Sequence, residues 1–421
     1  MQKTYRIAAV FNWKVTTFGE RLLQMRTHAD RQFGMTSADI ASAPFTYETL
    51  EGRGLGVIAA RDIEPGERLL AEAPLLVARI DGAGIPLSVL QSSVDNLAAE
   101  DRAKFFELSQ NAGYGEAKTA DGIAQTNGIP FRWRSQLYGA VYYRASRINH
   151  SCDACACFQW AATPVTAAAA QSSDEPPPGR LTVHATRRIR SGDEITINYL
   201  GFLAQREQRQ QRLRESFGFE CSCAKCALTG EALRASEARL ATLGNAGALA
   251  EALNARGTPE ALMSTEPAEV LRDQTRLLQL LALESPPDGL IGGTTELVLQ
   301  ACVEFCDHAS AALSRLTSRA RANQVSGQAQ GRTLRVPLET LDERAATYRR
   351  AARAWAERAR EAARLMLGDD SPAFRVYDTA LARCWHDHEV EMDGEAGDSG
   401  ADPSMSLREL WLEAGAASDW T

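Results

Sequence analysis

Ser146-Arg147-Ile148-Asn149-His150-Ser151-Cys152 and Gly192-Asp193-Glu194-Ile195-Thr196-Ile197-Asn198-Tyr199 are the stretches on which the reading of this chain turns. Two more segments need explaining with them, Gly52-Arg53-Gly54-Leu55-Gly56 and Cys221-Ser222-Cys223-Ala224-Lys225-Cys226. Taken alone, the glycine segment is weak. A turn of this kind before Val57-Ile58-Ala59-Ala60 lets backbone approach a ligand closely, yet it is as often only a tight turn. It lacks the GxGxxG spacing and the following helix of a dinucleotide fingerprint. Asn149-His150 by itself reads as a satisfied polar pair more readily than as a ligand site. The CxCxxC is more specific. Three thiolates within six residues can take three corners of a tetrahedral metal site, and a structural site wants a fourth ligand. Cys152 is the obvious donor; three reduced thiols in a loop is the plain alternative.

The cysteine distribution supports a metal over a disulfide framework. Of nine, none precedes Cys152, and six fall in two groups, Cys152, Cys155, Cys157 and Cys221, Cys223, Cys226. Cys302, Cys306 and Cys384 are scattered. An odd count with no secretory signal suits reduced thiols that hold metal. Cys155 and Cys157 read as strand residues on a hairpin. A net charge of −8 argues against global nucleic-acid binding, which usually leaves a basic footprint. No apolar run approaches the ~20 residues of a membrane-spanning helix.

Along the chain, residues 1–45 read as an extension, either disordered or targeting, because Lys3, Arg6, Lys14, Arg21, Arg26 and Arg31 outnumber Glu20 and Asp30. From Thr46 short apolar runs between Gly and Pro read as strands: Val57–Ala60, Leu69-Leu70, Leu75–Val77. Residues 80–124 hold a helical insert, with Leu87, Leu90, Val94, Leu97, Phe105 and Leu108 at helical spacing. A second strand-rich stretch runs from about Gln125 to Tyr199 and includes Cys157–Trp160 and Leu181–His184. These two are joined by an Ala/Ser/Pro-rich segment, 161–179, that reads as a disordered hairpin loop. After Leu200 the pattern is helical. In 338–367, Leu341, Ala345, Tyr348, Ala352, Trp355, Ala359, Ala362 and Met366 line one packing face. The expected divisions are 46–202, a cysteine segment at 203–228, an all-α domain at 229–388, and an acidic linker with a short helix at 389–421.

The order of the four segments resembles SET-domain protein lysine methyltransferases, above all the SET-and-MYND-like branch. Thr126-Asn127-Gly128-Ile129 and the run Arg180–Ile189 also look like that branch. The likeness covers roughly 46–228. It implies an α+β fold of small curved sheets, with the NHSC and tyrosine segments packed as a pseudo-knot. S-adenosyl-L-methionine lies on one face in that family, and the substrate lysine enters from the other. Carried over by motif, Arg53, Gly54 and Leu55 would line the methionine part of the cofactor, and Asn127, Asn149 and His150 would contact its polar groups. Tyr199 matches the catalytic tyrosine, and Phe219 the aromatic that stacks on adenine. Cys152, Cys221, Cys223 and Cys226 match the post-SET zinc ligands. Asp153-Ala154-Cys155 departs from the usual Asp-Pro-Asn, and Asn198 stands where Asp or Cys is frequent. A MYND finger has no cysteines to build on before Cys152.

The resemblance implies methyl transfer to the side-chain amine of lysine in a protein substrate, such as a histone tail, in nucleus or cytoplasm. Organellar targeting by the extension is the less favoured reading. The main rival is a catalytically silent SET module serving as a zinc-stabilised interaction or chromatin-associated scaffold. Glu194 is not nominated as a base, since alignment of amine and methyl needs none. The arginines at 344–364 could form a nucleic-acid surface, but they alternate with Glu343, Glu357 and Glu361, which reads more readily as a solvated helix face. Cys302/Cys306/His308 and Cys384-Trp385-His386-Asp387-His388 could bind metal, but read more readily as helix packing with a polar end.

Overall fold

Phe45–Leu50 (β1) and Gly54–Ala59 (β2) form an antiparallel hairpin, with Leu50 opposite Gly54 and Phe45 opposite Ala59. Gly52 and Gly54 both have φ of +68°, in the left-handed region that costs other residues roughly 1–2 kcal/mol. The glycines therefore make the turn possible, and Arg53 is carried at its tip.

The computed structural model describes residues 43–81, 85–133, 136–162, 179–200, 204–243, 256–284, 292–325 and 336–369, with 374, 377, 378 and 381. The expected extension before Ala43, the connector at 163–178, the acidic linker with its terminal helix, and the Cys384–His388 segment lie outside them. The chain divides into two compact units. One holds the described residues up to Glu237 together with those from Leu365 to Asp369; the other runs from Ala238 to Arg364 and takes in the few described residues beyond Ala373.

The first unit is built on three small sheets. β2 pairs antiparallel with Glu194–Ile197 (β10), which pairs in parallel with Asn149–His150 (β7). Arg68–Glu72 (β3), Gly179–Ala185 (β9) and Ala156–Ala162 (β8) make the second sheet, with β9 central. Leu76–Ile80 (β4), Gln136–Val141 (β6) and Ile129–Trp133 (β5) make the third. The inward side chains meet in one core that includes Val57, Ile63, Leu70, Tyr142, Leu181, Val183, Ile189 and Ile195. Full burial of a side chain of this size contributes about 1.5–3 kcal/mol. The α+β architecture read from the sequence is what the chain adopts.

Between β4 and β5 lie Leu87–Asp95 (α1), Ala99–Glu107 (α2) and Ala120–Asn127 (α3). Leu90, Val94, Phe105 and Leu108 are buried there with Ile123. Leu87 departs from the expectation. It opens α1 and is 64% exposed, because the first turn projects beyond the packed face. The strand-rich stretch likewise starts later than Gln125, which belongs to α3; the first strand after the insert begins at Ile129.

The first unit closes with Arg206–Phe217 (α4), a cysteine-bearing turn and the start of Gly230–Leu243 (α5). The second unit is helical: Pro259–Ser264 (α6), Pro267–Glu284 (α7), Gly292–Val325 (α8) and Leu338–Leu367 (α9) as far as Arg364. On α9, Leu341, Ala345, Tyr348, Trp355, Ala359, Ala362 and Met366 are buried at the expected spacing. Buried Gln274 accepts a hydrogen bond from Trp355 Nε1 at 2.9 Å, which fixes α7 against α9. Cys306 on α8 faces the same Gln274 oxygen at 3.6 Å. Among the described helices, none is long and apolar enough to cross a membrane.

Candidate functional site

The parallel pairing of β7 with β10 places Thr196 beside Asn149 and Ile197 beside His150. Two segments far apart in sequence thus end side by side, one in Cys152 and the other in Tyr199. Ser151 N–H extends the pairing by donating to Ile197 O at 3.1 Å.

Glu194, at the start of β10, gathers the next residues. Its Oε1 accepts from Asn149 Nδ2 at 2.9 Å and its Oε2 from Arg53 Nη1 at 2.5 Å. Arg53 Nη2 also donates to the His150 carbonyl at 3.1 Å. Gly56 gives this carboxylate room. A Cβ there would lie 2.5 Å from Leu50 Cδ1, 3.1 Å from Asn149 Nδ2 and 3.2 Å from Glu194 Oε1. The hairpin tip is therefore latched to the β7–β10 edge by the Glu194 carboxylate and the His150 carbonyl. Leu55 is 39% exposed beside it.

His150 is buried, and its ring works inside the protein. Nδ1 accepts from the Tyr199 backbone N–H at 3.0 Å, so Nε2 carries the proton. That nitrogen lies 3.3 Å from Cys152 Sγ. The role expected of His150, contact with a ligand's polar groups, is thus not open to its ring nitrogens, which join Tyr199 to the cysteine cluster.

Tyr199 donates its hydroxyl to Ile148 O at 2.7 Å. Burial pushes the phenol well above its ordinary range, so it is a neutral donor at pH 7. Its ring lies 5.2 Å from that of His150, 4.9 Å from Phe217 and 6.5 Å edge-on from Phe219. Phe219 is in turn 6.0 Å from the His150 ring. Gly218, between the two phenylalanines, has φ of +78° and ends α4 in a left-handed cap.

Asn127 sits otherwise. Its amide donates to Ser109 O at 2.7 Å and Ile123 O at 2.8 Å, closing the end of α3 onto the preceding loop. Those bonds give it a local structural task.

Cys152, Cys221, Cys223 and Cys226 bring their sulfur atoms within 4.8 Å of one another. This is the one group of its kind among the described residues, and it could hold a metal ion. Crowding sets the thiols against each other. Those of Cys221 and Cys223, hydrogen-bonded by Cys152, are held below the ordinary thiol range, and that of Cys152 is held above it. All four ionise together only around a cation. Helix α4 supplies the frame with one face. Gln210 accepts from Cys221 N–H at 2.8 Å and donates to Cys221 O at 2.6 Å. Arg206 donates to the carbonyls of Cys226 and Leu228, and buried Leu213 packs beneath. Cys155 is buried apart from the cluster, and Cys157 lies on β8. Glu194 was weighed only as a base and set aside, and Phe217, Arg209 and Gln210 were not singled out from the sequence. Only Phe217, an aromatic two residues before Phe219, carried a signal.

Residues 54–200 match the family model of the SET domain. This segment is a SET domain. Its relatives include a protein named histone-lysine N-methyltransferase set5 from Schizosaccharomyces pombe, 27% identical over 44% of this chain and 51% of that protein. A mouse protein named histone-lysine N-methyltransferase SMYD3 is 44% identical over 46 residues, 11% of each chain. A crystal structure from Plasmodium falciparum covers 38% of this chain and 96% of its own, at 14% identity with a TM-score of 0.21. This chain thus spans about half the length of the first of these curated relatives and about a tenth of the second. The SET domain contains Arg53's neighbours in the hairpin, the NHSC segment and Tyr199; Phe219 and three of the four clustered cysteines lie just beyond it.

Proposed function

We propose that this chain transfers a methyl group from S-adenosyl-L-methionine to the side-chain amine of a lysine in a protein substrate, a histone or another protein. The observation that carries the reading is the bonded series Arg53–Glu194–Asn149, continued through His150 to Tyr199 and Phe219, beside one cysteine cluster. The donor set suits the cofactor: a half-exposed guanidinium and an amide for its charged amino-acid end, and an aromatic ring for its purine. When bound, the cofactor supplies an electrophilic methyl on a sulfonium centre.

A lysine of pKa ~10.4 needs about 4.6 kcal/mol to lose its proton at pH 7. Apolar walls lower that cost by disfavouring the ammonium, and the rings of Tyr199 and Phe217 are such walls. Tyr199, a neutral phenol fixed at its backbone N–H by His150 and at its hydroxyl by Ile148 O, would orient the amine. Its role is alignment, in which reactants held together gain the advantage of a unimolecular step. In this reading Arg53, Gly54, Leu55 and Asn149 bind cofactor, Phe219 takes the purine, and His150 holds Tyr199.

Zinc suits the four cysteines. Zn–S bonds of ~2.3 Å in a tetrahedron place sulfurs about 3.8 Å apart, compatible with their spread here. A histone methyltransferase role places the chain in nucleus or cytoplasm. The test is binding of labelled S-adenosylmethionine followed by transfer of label to lysine in a lysate. Absence of cofactor binding by zinc-loaded protein would remove the proposal.

A further inference from the structure

We infer that Arg209 is part of the proposed metal centre, its guanidinium balancing the charge of the four thiolates and damping the reactivity of their sulfurs. The inference rests on the zinc reading above and adds to it a residue outside the ligand set.

Arg209 stands in the middle of α4 and is 4% exposed. Nε donates to Cys152 Sγ at 3.3 Å and Nη2 to Cys226 Sγ at 3.7 Å. Nη1 donates to Ala204 O at 2.5 Å. No carboxylate among the described residues forms an ion pair with it. A guanidinium cannot discharge itself by losing a proton, and a buried charge is costly without a counter-charge. The sulfur cluster is the counter-charge on offer. Four thiolates around a divalent ion carry −2, and Arg209 brings the assembly to −1.

The surrounding contacts are consistent with a purpose-built second layer. α4 is polar nearly all round, a pattern that does not hold a helix in place by apolar packing. Arg206 and Gln210, on the same face as Arg209, clamp the backbone of the cysteine turn. Cys152 receives a further donor from His150 Nε2 at 3.3 Å. A thiolate that accepts N–H donors is a weaker nucleophile, and partners of this kind orient ligands and tune their metal.

The experiment compares full-length wild type, Arg209→Gln and Arg209→Lys, each loaded with zinc alone. Metal content is measured first, then zinc affinity against a chelating indicator, then the rate at which an alkylating reagent ejects zinc. Arg209→Gln should hold zinc about 10–100-fold more weakly and lose it to alkylation several-fold faster, with Arg209→Lys between it and wild type. A role confined to helix packing would leave alkylation of the zinc-bound sulfurs unchanged. Wild-type affinity and wild-type ejection rate in folded Arg209→Gln overturn the inference. If Arg209→Gln does not fold, a wild-type ejection rate in Arg209→Lys overturns it equally. Wild type that binds no zinc overturns the zinc reading itself, and this inference with it.

Discussion

Asn149 donates its side-chain amide to Glu194 Oε1 at 2.9 Å, and the opposite oxygen of that carboxylate holds Arg53 at 2.5 Å. Glu194 therefore sets the positions of two proposed cofactor-binding groups without being one. Glu194→Gln keeps the shape and removes the charge that fixes Arg53. The Arg53 side chain is 45% exposed, so stability should fall by less than about 1 kcal/mol. Cofactor affinity should fall several-fold, and Asn149→Ala should weaken it further. Calorimetric titration with S-adenosylmethionine distinguishes the cases; unchanged affinity in both variants would remove these residues from the binding surface.

Tyr199→Phe deletes the hydroxyl that meets Ile148 O at 2.7 Å and leaves the ring among His150, Phe217 and Phe219. Loss of the hydrogen bond should cost about 1 kcal/mol of stability. Cofactor affinity should stay within a few-fold, because alignment matters most in the transition state. Single-turnover methylation should drop on the order of 10²–10³-fold, the scale seen when one oriented donor is removed from an acyl-transfer site. A variant that methylates at the wild-type rate would reject Tyr199 as the catalytic residue.

Gly218→Ala tests the link between the helical insert and the phenylalanine pair. A Cβ on Gly218 would lie 2.5 Å from Asn111 Oδ1, and the φ of +78° already disfavours a side chain. The backbone strain costs about 1–2 kcal/mol. Phe217 and Phe219 should shift with it. We expect a lower melting temperature together with weaker cofactor binding, while Gly192→Ala, also at positive φ but with open space around it, should show the strain alone.

Glu72 carries a pH signature. Its carboxylate accepts from the N–H groups of Tyr143, Arg144 and Ala145, yet burial outweighs these bonds and raises its pKa. A raised folded-state pKa means that the native state favours the protonated form. The stabilisation is full below the unfolded value of ~4.3 and is lost as pH rises through the folded value. Glu72→Gln should cost about 1–3 kcal/mol, since an amide nitrogen would oppose one of the three N–H donors. Denaturant unfolding from pH 4 to 7 should show the wild-type minus variant difference shrinking as pH rises. A flat difference would contradict the assignment.

Cys152→Ser removes the sulfur that comes from outside the CxCxxC. Metal analysis should find zinc content or affinity sharply reduced, and the melting temperature should fall, because structural zinc contributes ~10–16 kcal/mol of apparent binding energy in small peptides. Unchanged metal content and unchanged cofactor affinity would place the fourth ligand elsewhere.

The parts read correctly from sequence are those in which spacing alone sets the outcome. The apolar steps of 338–367 match a helix from Leu338 to Leu367, since residues three and four apart share a face wherever the helix packs. Runs bounded by Gly and Pro became β2, β3, β4, β8 and β9. Leu87 shows the limit, because a periodic pattern does not say where the packed face stops.

Sequence by itself determined the chemical inventory: a SET-like motif order, a thiol cluster lacking one member, and a tyrosine at the end of a strand. Only the tertiary structure decided how those residues are bonded. The parallel pairing of β7 with β10 gave His150 to Tyr199 instead of leaving its ring to a ligand. The same fold made Glu194 a latch, and it buried Arg209 against sulfur. Each of these depends on contacts between residues tens of positions apart, and a polar side chain's partner is fixed by what the folded backbone brings within about 3 Å, which local spacing does not encode.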